Sequence, residues 1–352
     1  MENINKAASD NNPMTIKPSV FLSFIVPTFN SENTLDVCLQ AITEIIFLKE
    51  NNFELIVSDD GSTDLSLNIA QRYSATIVTS PGNKGAAFAR NLGAKAASGE
   101  YLVFIDSDVI LLSKDIMRYI INGFNTFDIC GISGCYSEKI MFNNYFSAYK
   151  HLYMCFNYFK APKFSPIVSS AIMVIPRKMF IEKGGFNESY PSVMAEDIEF
   201  SIELFLREKK LFLVELGIKG LHLKKYDLVS LLKSDYLRTK GIIKMIKKTD
   251  AKQVYSKAVA RNFGPLFLLP ILFILGFAVL LKNHFLLIGT LFLICWVFSM
   301  QKDMFNYFRE HKNTRFALLA VSFYFIEAHF VAFCALYQQL INKMGDDTNA
   351  TT

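Results

Sequence analysis

Asp59-Asp60-Gly61-Ser62-Thr63-Asp64 and Asp106-Ser107-Asp108 are two acidic clusters, and each follows a short apolar run, residues 53–57 and 101–105, of the kind that makes a buried strand. A carboxylate at a strand end can accept hydrogen bonds from a nucleoside's imide or ribose hydroxyls, while another can hold a divalent cation that neutralises a diphosphate. Asp59 and Asp60 suit the first task and Asp108 the second. Taken alone, the first cluster also reads as a solvated turn capping a helix from residue 65. The stretch Asn83-Lys84-Gly85-Ala86-Ala87-Phe88-Ala89-Arg90-Asn91 adds a glycine at a helix start and two cations, Lys84 and Arg90, where a diphosphate would meet the positive end of a helix dipole. Further on, Gly184-Gly185-Phe186 precedes Glu196-Asp197, which open another helix. A carboxylate so placed can take a proton from a hydroxyl nucleophile.

The elements that position these groups follow from periodicity. From residue 20 to about 225, short apolar runs alternate with amphipathic stretches, the pattern of an α/β domain with a Rossmann-like, mainly parallel sheet flanked by helices. Strands are expected at 21–26, stopped by Pro27, and at 53–57, 75–79 and 101–105; helices are expected at 34–48, 65–73 and 85–97. Ligands of such sheets bind at the carboxyl ends of the strands, near the switch in strand order. Pro27-Thr28, Asp59-Asp60 and Asp106 to Asp108 all sit at such ends, so they define one crevice.

Half of the 352 residues are hydrophobic, 33 of them Phe, and mean hydropathy is positive although 20% of residues are charged. The apolar excess must therefore be concentrated, and it is, after Arg261. Residues 263–281 and 285–300 carry no charge, and 316–340 carry only Glu327 and His329. Runs of this length are expected to form three membrane helices. The second is short and separated from the first only by Lys282-Asn283-His284, so that pair either spans or re-enters. Trp296, Phe305, Tyr307 and Phe308, able to extend and anchor it at an interface, favour spanning. Lys302, Arg309, Lys312 and Arg315, with the many basic residues before the first apolar run, put those segments in the cytoplasm and the Lys282 turn and the Thr352 end outside. The expected organisation is a disordered tail (1–19), a catalytic domain (20–226), basic juxtamembrane helices (227–262), a transmembrane region (263–340) and a tail (341–352). That is a multi-pass protein of the cell inner membrane with its catalytic domain in the cytoplasm. Glu327 and His329 are costly in lipid unless they face other helices or an acceptor.

Other classes are excluded or narrowed. The net charge of +5 is modest, and no helix-turn-helix, zinc-finger or RNA-recognition pattern is present, so nucleic acid is not an expected partner. Six cysteines lack both metal-ligand spacing and disulfide-scaffold density, and fit buried thiols in a reducing compartment. Phe142, Tyr145, Phe146, Tyr149, Tyr153 and Phe156 recur at helical spacing, with Lys150, His151 and Lys160 alongside. They read as an interfacial or acceptor-gating helix, or else as a core-facing one.

Taken in order, Val26-Pro27-Thr28-Phe29-Asn30, the block 57–64, Lys84-Gly85 to Arg90-Asn91, Asp106-Ser107-Asp108, Gly184-Gly185-Phe186 and Glu196-Asp197 resemble the inverting family 2 glycosyltransferases of the GT-A fold, over about residues 20–226. The resemblance implies a nucleotide-sugar donor, with uridine as the nucleoside. It places Pro27, Thr28, Glu32, Asp59, Asp60, Lys84 and Arg90 around the nucleotide and Asp106 on the nucleoside side. Asp108 would bind Mg2+ or Mn2+, Asp197 would be the general base, and Glu196 would support acceptor binding. Residues 169–177 would be a strand bordering the acceptor pocket. His222 lies where some members have a His that closes over the phosphates, so it is a second metal candidate or a structural residue. No Gln-X-X-Arg-Trp block follows Asp197, and the only Trp is Trp296. The chain thus departs from the processive members, and transfer of a single sugar to a lipid-linked or other glycan hydroxyl at the cytoplasmic face is expected. A polyprenyl-phosphate acceptor and a catalytically silent scaffold are the alternatives. Retaining glycosidase chemistry also uses two carboxylates but needs neither the nucleotide cluster nor the metal pair.

Overall fold

The computed structural model describes residues 21–47, 53–190, 195–247, 252–255 and 284–349, with a few positions between 271 and 282. The expected tail 1–19 and most of the apolar run 263–281 lie outside the described residues. Strands β1 (Leu22–Thr28), β2 (Phe53–Asp59), β3 (Thr76–Thr79) and β4 (Tyr101–Ile105) alternate with helices α1 (Leu35–Phe47), α2 (Ser66–Ala70) and α3 (Ala86–Ala96). These four strands pair in parallel. All seven residues of β1 are buried, as expected of a central strand covered on both faces.

Beyond β4 come β5 (Val109–Leu111), α4 (Ile116–Thr126), β6 (Gly131–Tyr136), α5 (Tyr145–Lys160), β7 (Phe164–Ser165), β8 (Ile172–Pro176), α6 (Arg177–Lys183), α7 (Glu196–Glu208), β9 (Phe212–His222) and α8 (Leu228–Ile246). The sheet runs β3-β2-β1-β4-β8-β6-β9-β5, with β7 paired to β9. β8 is antiparallel to both β4 and β6, so the parallel half is continued by a mixed one. The whole is a GT-A type sheet with flanking helices. Its order reverses between β1 and β4, where the chain returns across the first strand after building outward through β2 and β3, and this opens the crevice.

β1 does not stop at Pro27: it pairs with β2 through Pro27↔Ser58 and Thr28↔Asp59. The missing N–H is tolerated because pairing with β4 has already ended at Ile25↔Phe104.

After α8 the described chain continues as α9 (His284–Ser299), α10 (Lys302–His311) and α11 (Thr314–Asn349). Among the described residues one segment, Thr314–Asn342, is long and apolar enough to cross a membrane, or two if α9 and α10, bent by 56°, count as one. Among the described residues three spans, and with them the multi-pass inner-membrane arrangement, are not supported. α11 also continues through Asn349, where a tail was expected from residue 341. Tyr307 and Phe308, expected to anchor a span at a membrane interface, are buried with Met304 on one face of α10. That face docks on α5: Tyr307 meets Phe156 at 5.5 Å between ring centroids and Phe308 meets Tyr149 at 6.1 Å. α11 covers the rest of α5, with Phe316 against Tyr145, Phe323 against Tyr149 and Tyr324 against Tyr153. The aromatic face of α5 is therefore a protein core, not an acceptor gate or a bilayer surface.

One buried polar cluster pins this packing. Lys150 Nζ of α5 lies 2.5 Å from Asp235 Oδ1 of α8 and 2.8 Å from Glu327 Oε1 of α11, and the Tyr149 hydroxyl donates to Glu327. Glu327 thus faces protein rather than lipid. All six cysteines are free; five are buried and Cys295 is exposed.

Candidate active site

Asp59 ends β2 in a tight turn, its Oδ2 accepting from the N–H groups of Gly61 and Ser62 at 3.0 Å each. Its Oδ1 is buried and has no partner among the described residues. This oxygen is free to accept a hydrogen bond, and a buried acceptor without a partner is costly. Asp60 differs. Its Oδ1 accepts from Ser80 Oγ at 2.7 Å and Lys84 N–H at 2.9 Å, and its Oδ2 from Gly85 N–H at 2.6 Å. Its carboxylate is taken up in holding the loop before α3 against the strand end. Gly61, at φ +80°, passes so close that an added Cβ would lie 2.4 Å from Gly82 Cα.

Around this turn, Thr28 is buried with its hydroxyl donating to Val26 O, and Pro27 is buried beside it. Glu32 joins two loops: its Oε2 accepts from Leu65 N–H and its own N–H donates to Asp64 Oδ2. Lys84 is exposed and its ammonium forms no ion pair among the described residues.

Arg90 is buried at 2% exposure, pointing inward from α3 rather than toward solvent. It lies 2.7 Å from Asp106 Oδ1 and 3.1 Å from Glu196 Oε1, and stands over the Phe186 ring. Burial opposes its charge, but Asp106 and Glu196 more than compensate and raise its pKa. Glu196 is buried as well, and its Oε1 accepts from Arg90. Through this one guanidinium the end of β4 is tied to the start of α7. Asn91, next along α3, fixes the glycine pair before α7 by accepting from Phe186 N–H and donating to Phe186 O and Glu188 Oε1, each at 2.8 Å.

Asp197 follows Glu196 in the first turn of α7. It is half-buried, and its Oδ2 accepts from Ser170 N–H at 3.2 Å, just before β8. Asp108 and His222 meet because β5 pairs antiparallel with β9 in the register Val109↔His222. His222 Nε2 lies 3.4 Å from Asp108 Oδ2, and the imidazole stacks on Tyr136 at 4.8 Å. Burial works against the Asp108 carboxylate, yet His222 beside it holds its pKa below the usual range. Among the described residues no three His, Cys, Asp or Glu side chains cluster as a metal cage. A carboxylate and an imidazole side by side nevertheless suit a divalent cation whose remaining positions go to phosphate oxygens and water, the usual division in nucleotide sites.

Two participants escape the sequence reading. Tyr136 is the platform under His222, and nothing in the sequence links residues so far apart. Arg238 of α8 is exposed and makes no hydrogen bond or ion pair among the described residues. Desolvation disfavours its charge, while Asp197 and then Tyr226 favour it and raise its pKa. In the sequence it is one of many basic residues. What singles it out is the charge of Asp197, which the fold brings within its reach.

Comparison with known proteins accords with this geometry. Residues 23–180 match the family model described as Glycosyl transferase family 2. The chain is 35% identical over 133 residues to the poly(ribitol-phosphate) beta-glucosyltransferase of Bacillus spizizenii, a match covering 34% of this chain and 21% of that protein. It is 38% identical over 93 residues to the poly(ribitol-phosphate) beta-N-acetylglucosaminyltransferase TarS of Staphylococcus aureus, covering 24% of this chain and 16% of that one. The chain therefore spans well under half the length of these relatives. Among solved structures, the mannosyltransferase PcManGT from Pyrobaculum calidifontis, in complex with GDP-Man and Mn2+, superposes with a TM-score of 0.60 at 15% identity, covering 93% of this chain and 91% of that one. At that identity the likeness is one of fold.

Proposed function

Because the chain carries a glycosyl transferase family 2 domain over residues 23–180, we propose that it is an inverting glycosyltransferase, moving one sugar from a nucleotide-sugar to a hydroxyl of a lipid-linked or other glycan acceptor at a membrane face. The observation that carries the reading is Arg90, whose guanidinium joins Asp106 of the donor side to Glu196, the neighbour of Asp197. It supports a single centre in which donor and base face each other across the crevice.

In this reading the nucleoside lies over the β1 and β2 ends, with Pro27, Thr28 and Glu32 as walls and the free Asp59 oxygen as its acceptor. Lys84 and the start of α3 attract the diphosphate. Asp108 and His222 would hold a divalent cation, Mg2+ or Mn2+, which when bound offsets the charge of the diphosphate; the Mn2+ complex of the mannosyltransferase is in keeping with this. Asp197 takes the proton of the acceptor hydroxyl as that oxygen attacks the anomeric carbon. The bond from that carbon to the diphosphate oxygen breaks, the nucleoside diphosphate leaves with the electron pair, and one displacement inverts the centre. The helix start and Ser170 N–H hold Asp197 in orientation.

A second reading, transfer to a polyprenyl phosphate, draws on Arg238, an unpaired guanidinium whose charge reaches Asp197 and which could meet an anionic acceptor. Such an acceptor is already ionised and needs no base.

Turnover and binding of a panel of UDP-, GDP- and dTDP-sugars by the detergent-solubilised protein, with Asp108→Ala beside the wild type, test the first reading. Selective turnover of one donor that fails in Asp108→Ala is the expected result. Binding of none of them, with cation present, would overturn it in favour of a silent scaffold. Transfer to polyprenyl phosphate undiminished in Asp197→Asn would favour the second reading.

A further inference from the structure

Helix α11 is apolar enough to cross a bilayer, yet it touches the catalytic domain near both ends of its apolar stretch. Near the start, the Tyr145 hydroxyl donates to Leu319 O at 2.9 Å. Near the end, Gln338 Nε2 donates to the Tyr236 hydroxyl of α8 at 2.7 Å. Between them Tyr324 packs on Tyr153 and Glu327 pairs with Lys150. Phe316 to Gln338 is about 33 Å of helix at 1.5 Å per residue, as long as the hydrocarbon core is thick. Were α11 to cross upright, α5 and α8 would be carried into the core with it. α8 bears Lys233, Lys240 and Lys244, all exposed, and ammonium groups at that depth are strongly disfavoured.

The exposed side of α11 is a single stripe. Leu318, Ile326, Phe333, Leu336 and Leu340 are each more than half exposed, and their spacings of eight, seven, three and four residues keep them on one face. Tyr324, Glu327 and Gln338 occupy the opposite, docked face. α9, beside it through the Phe298–Phe325 ring contact, exposes Phe285, Phe292 and Trp296. Cations stand at one end of the stripe: Lys312 and Arg315 at the start of α11 are exposed. Apolar stripe and cationic end together match an anionic lipid surface. A second copy of the chain would bring the same cations against themselves, which disfavours it as the occupant.

We propose that α11 is an in-plane membrane anchor: its docked face rests on α5, α8 and α10, its stripe from Leu318 to Leu340 enters the boundary between headgroups and acyl chains of one anionic leaflet, and both its ends stay on the side of the catalytic domain. This rests on the membrane reading above and departs from the expected topology, in which the two ends of this helix lie on opposite sides.

Two measurements on the full chain separate the outcomes. The first is co-sedimentation with phosphatidylcholine vesicles with and without phosphatidylglycerol. The expected result is binding that rises with phosphatidylglycerol and falls at least about tenfold in Ile326→Gln/Phe333→Gln/Leu340→Gln, whose donor binding is unchanged, since these side chains are exposed and distant in sequence from the crevice. The second is labelling with a membrane-impermeant maleimide of single cysteines, Arg315→Cys and Asn342→Cys, in a Cys295→Ser background, in membranes whose catalytic domain faces the reagent. Labelling of both without detergent is expected. Labelling of Asn342→Cys only after detergent overturns the in-plane anchor while leaving the membrane reading intact. Failure of the full chain to bind either vesicle overturns both, and a triple variant that turns a dimer into a monomer would then identify the stripe as a contact between copies.

Discussion

Asp59 differs from the other acids of the crevice in what its oxygens have left to give. Asp59 keeps a buried Oδ1 with no partner among the described residues, whereas both oxygens of the half-buried Asp197 accept from backbone N–H groups, those of Ser170 and Ile198. Asp60 and Glu196 have given theirs to a backbone loop and to Arg90. The sequence makes all four legible as strand-end or helix-start carboxylates. It cannot tell which are spent, because that depends on N–H groups and a guanidinium that folding brings from elsewhere. If Asp197 is the base, Asp197→Asn should lower transfer by about 10²- to 10⁴-fold, the usual worth of general-base catalysis, with donor affinity retained by calorimetry. A single-turnover rate within a factor of a few of the wild type would remove it from that role. Arg90→Met should act differently, since it leaves Glu196 buried without its cation. A loss of about 3–5 kcal/mol is expected for breaking a buried pair in this way, read from denaturant unfolding. An unchanged midpoint would mean the pair does not hold β4 to α7.

Elements show the same limit on a larger scale. The aromatic repeat of α5 is legible as one helix face, but a face destined for lipid and one destined for protein have the same composition, and its partners lie more than 140 residues further on. The cluster at its centre makes the docking testable. Lys150 is one cation between two carboxylates, and their burial favours a proton on one of the acids. Burial pushes Asp235 up to about 7, with Lys150 opposing and Glu327 adding to the rise. Also in its field are Tyr226, Cys334 of α11, Arg238 on its own helix and, across Glu327, Tyr149 of α5. The folded state binds this proton more tightly than the unfolded chain, whose Asp titrates near 4. Stability from this group is therefore fully present below about pH 4, declines as pH rises toward 7 and is flat above. The thermal midpoint in detergent should fall between pH 5 and pH 7 in the wild type, and the slope should be reduced in Asp235→Asn. Equal slopes in the two proteins would assign the dependence to other groups.

At the scale of the whole molecule, the sequence marks a change of solvent after Arg261 and places the first four strands of the parallel half within about two residues. It does not reveal that the chain folds back. That return makes the catalytic domain and the C-terminal helices one unit rather than an enzyme on a separable stalk, and the difference can be measured. A chain ending after Lys247 would strip Phe308, Phe316, Phe323 and Tyr324 from α5, exposing Tyr145, Tyr149 and Tyr153, and would leave Lys150 with Asp235 alone in place of Glu327. Each large aromatic so uncovered forfeits about 1.5–3 kcal/mol, and several together rival the roughly 5–15 kcal/mol by which a domain is stable at all. The shortened chain should therefore aggregate, or elute as a swollen species that binds hydrophobic dyes, on size exclusion without detergent. A monodisperse monomer with a cooperative thermal transition would show instead that the α/β domain stands alone and that α10 and α11 merely lean on it.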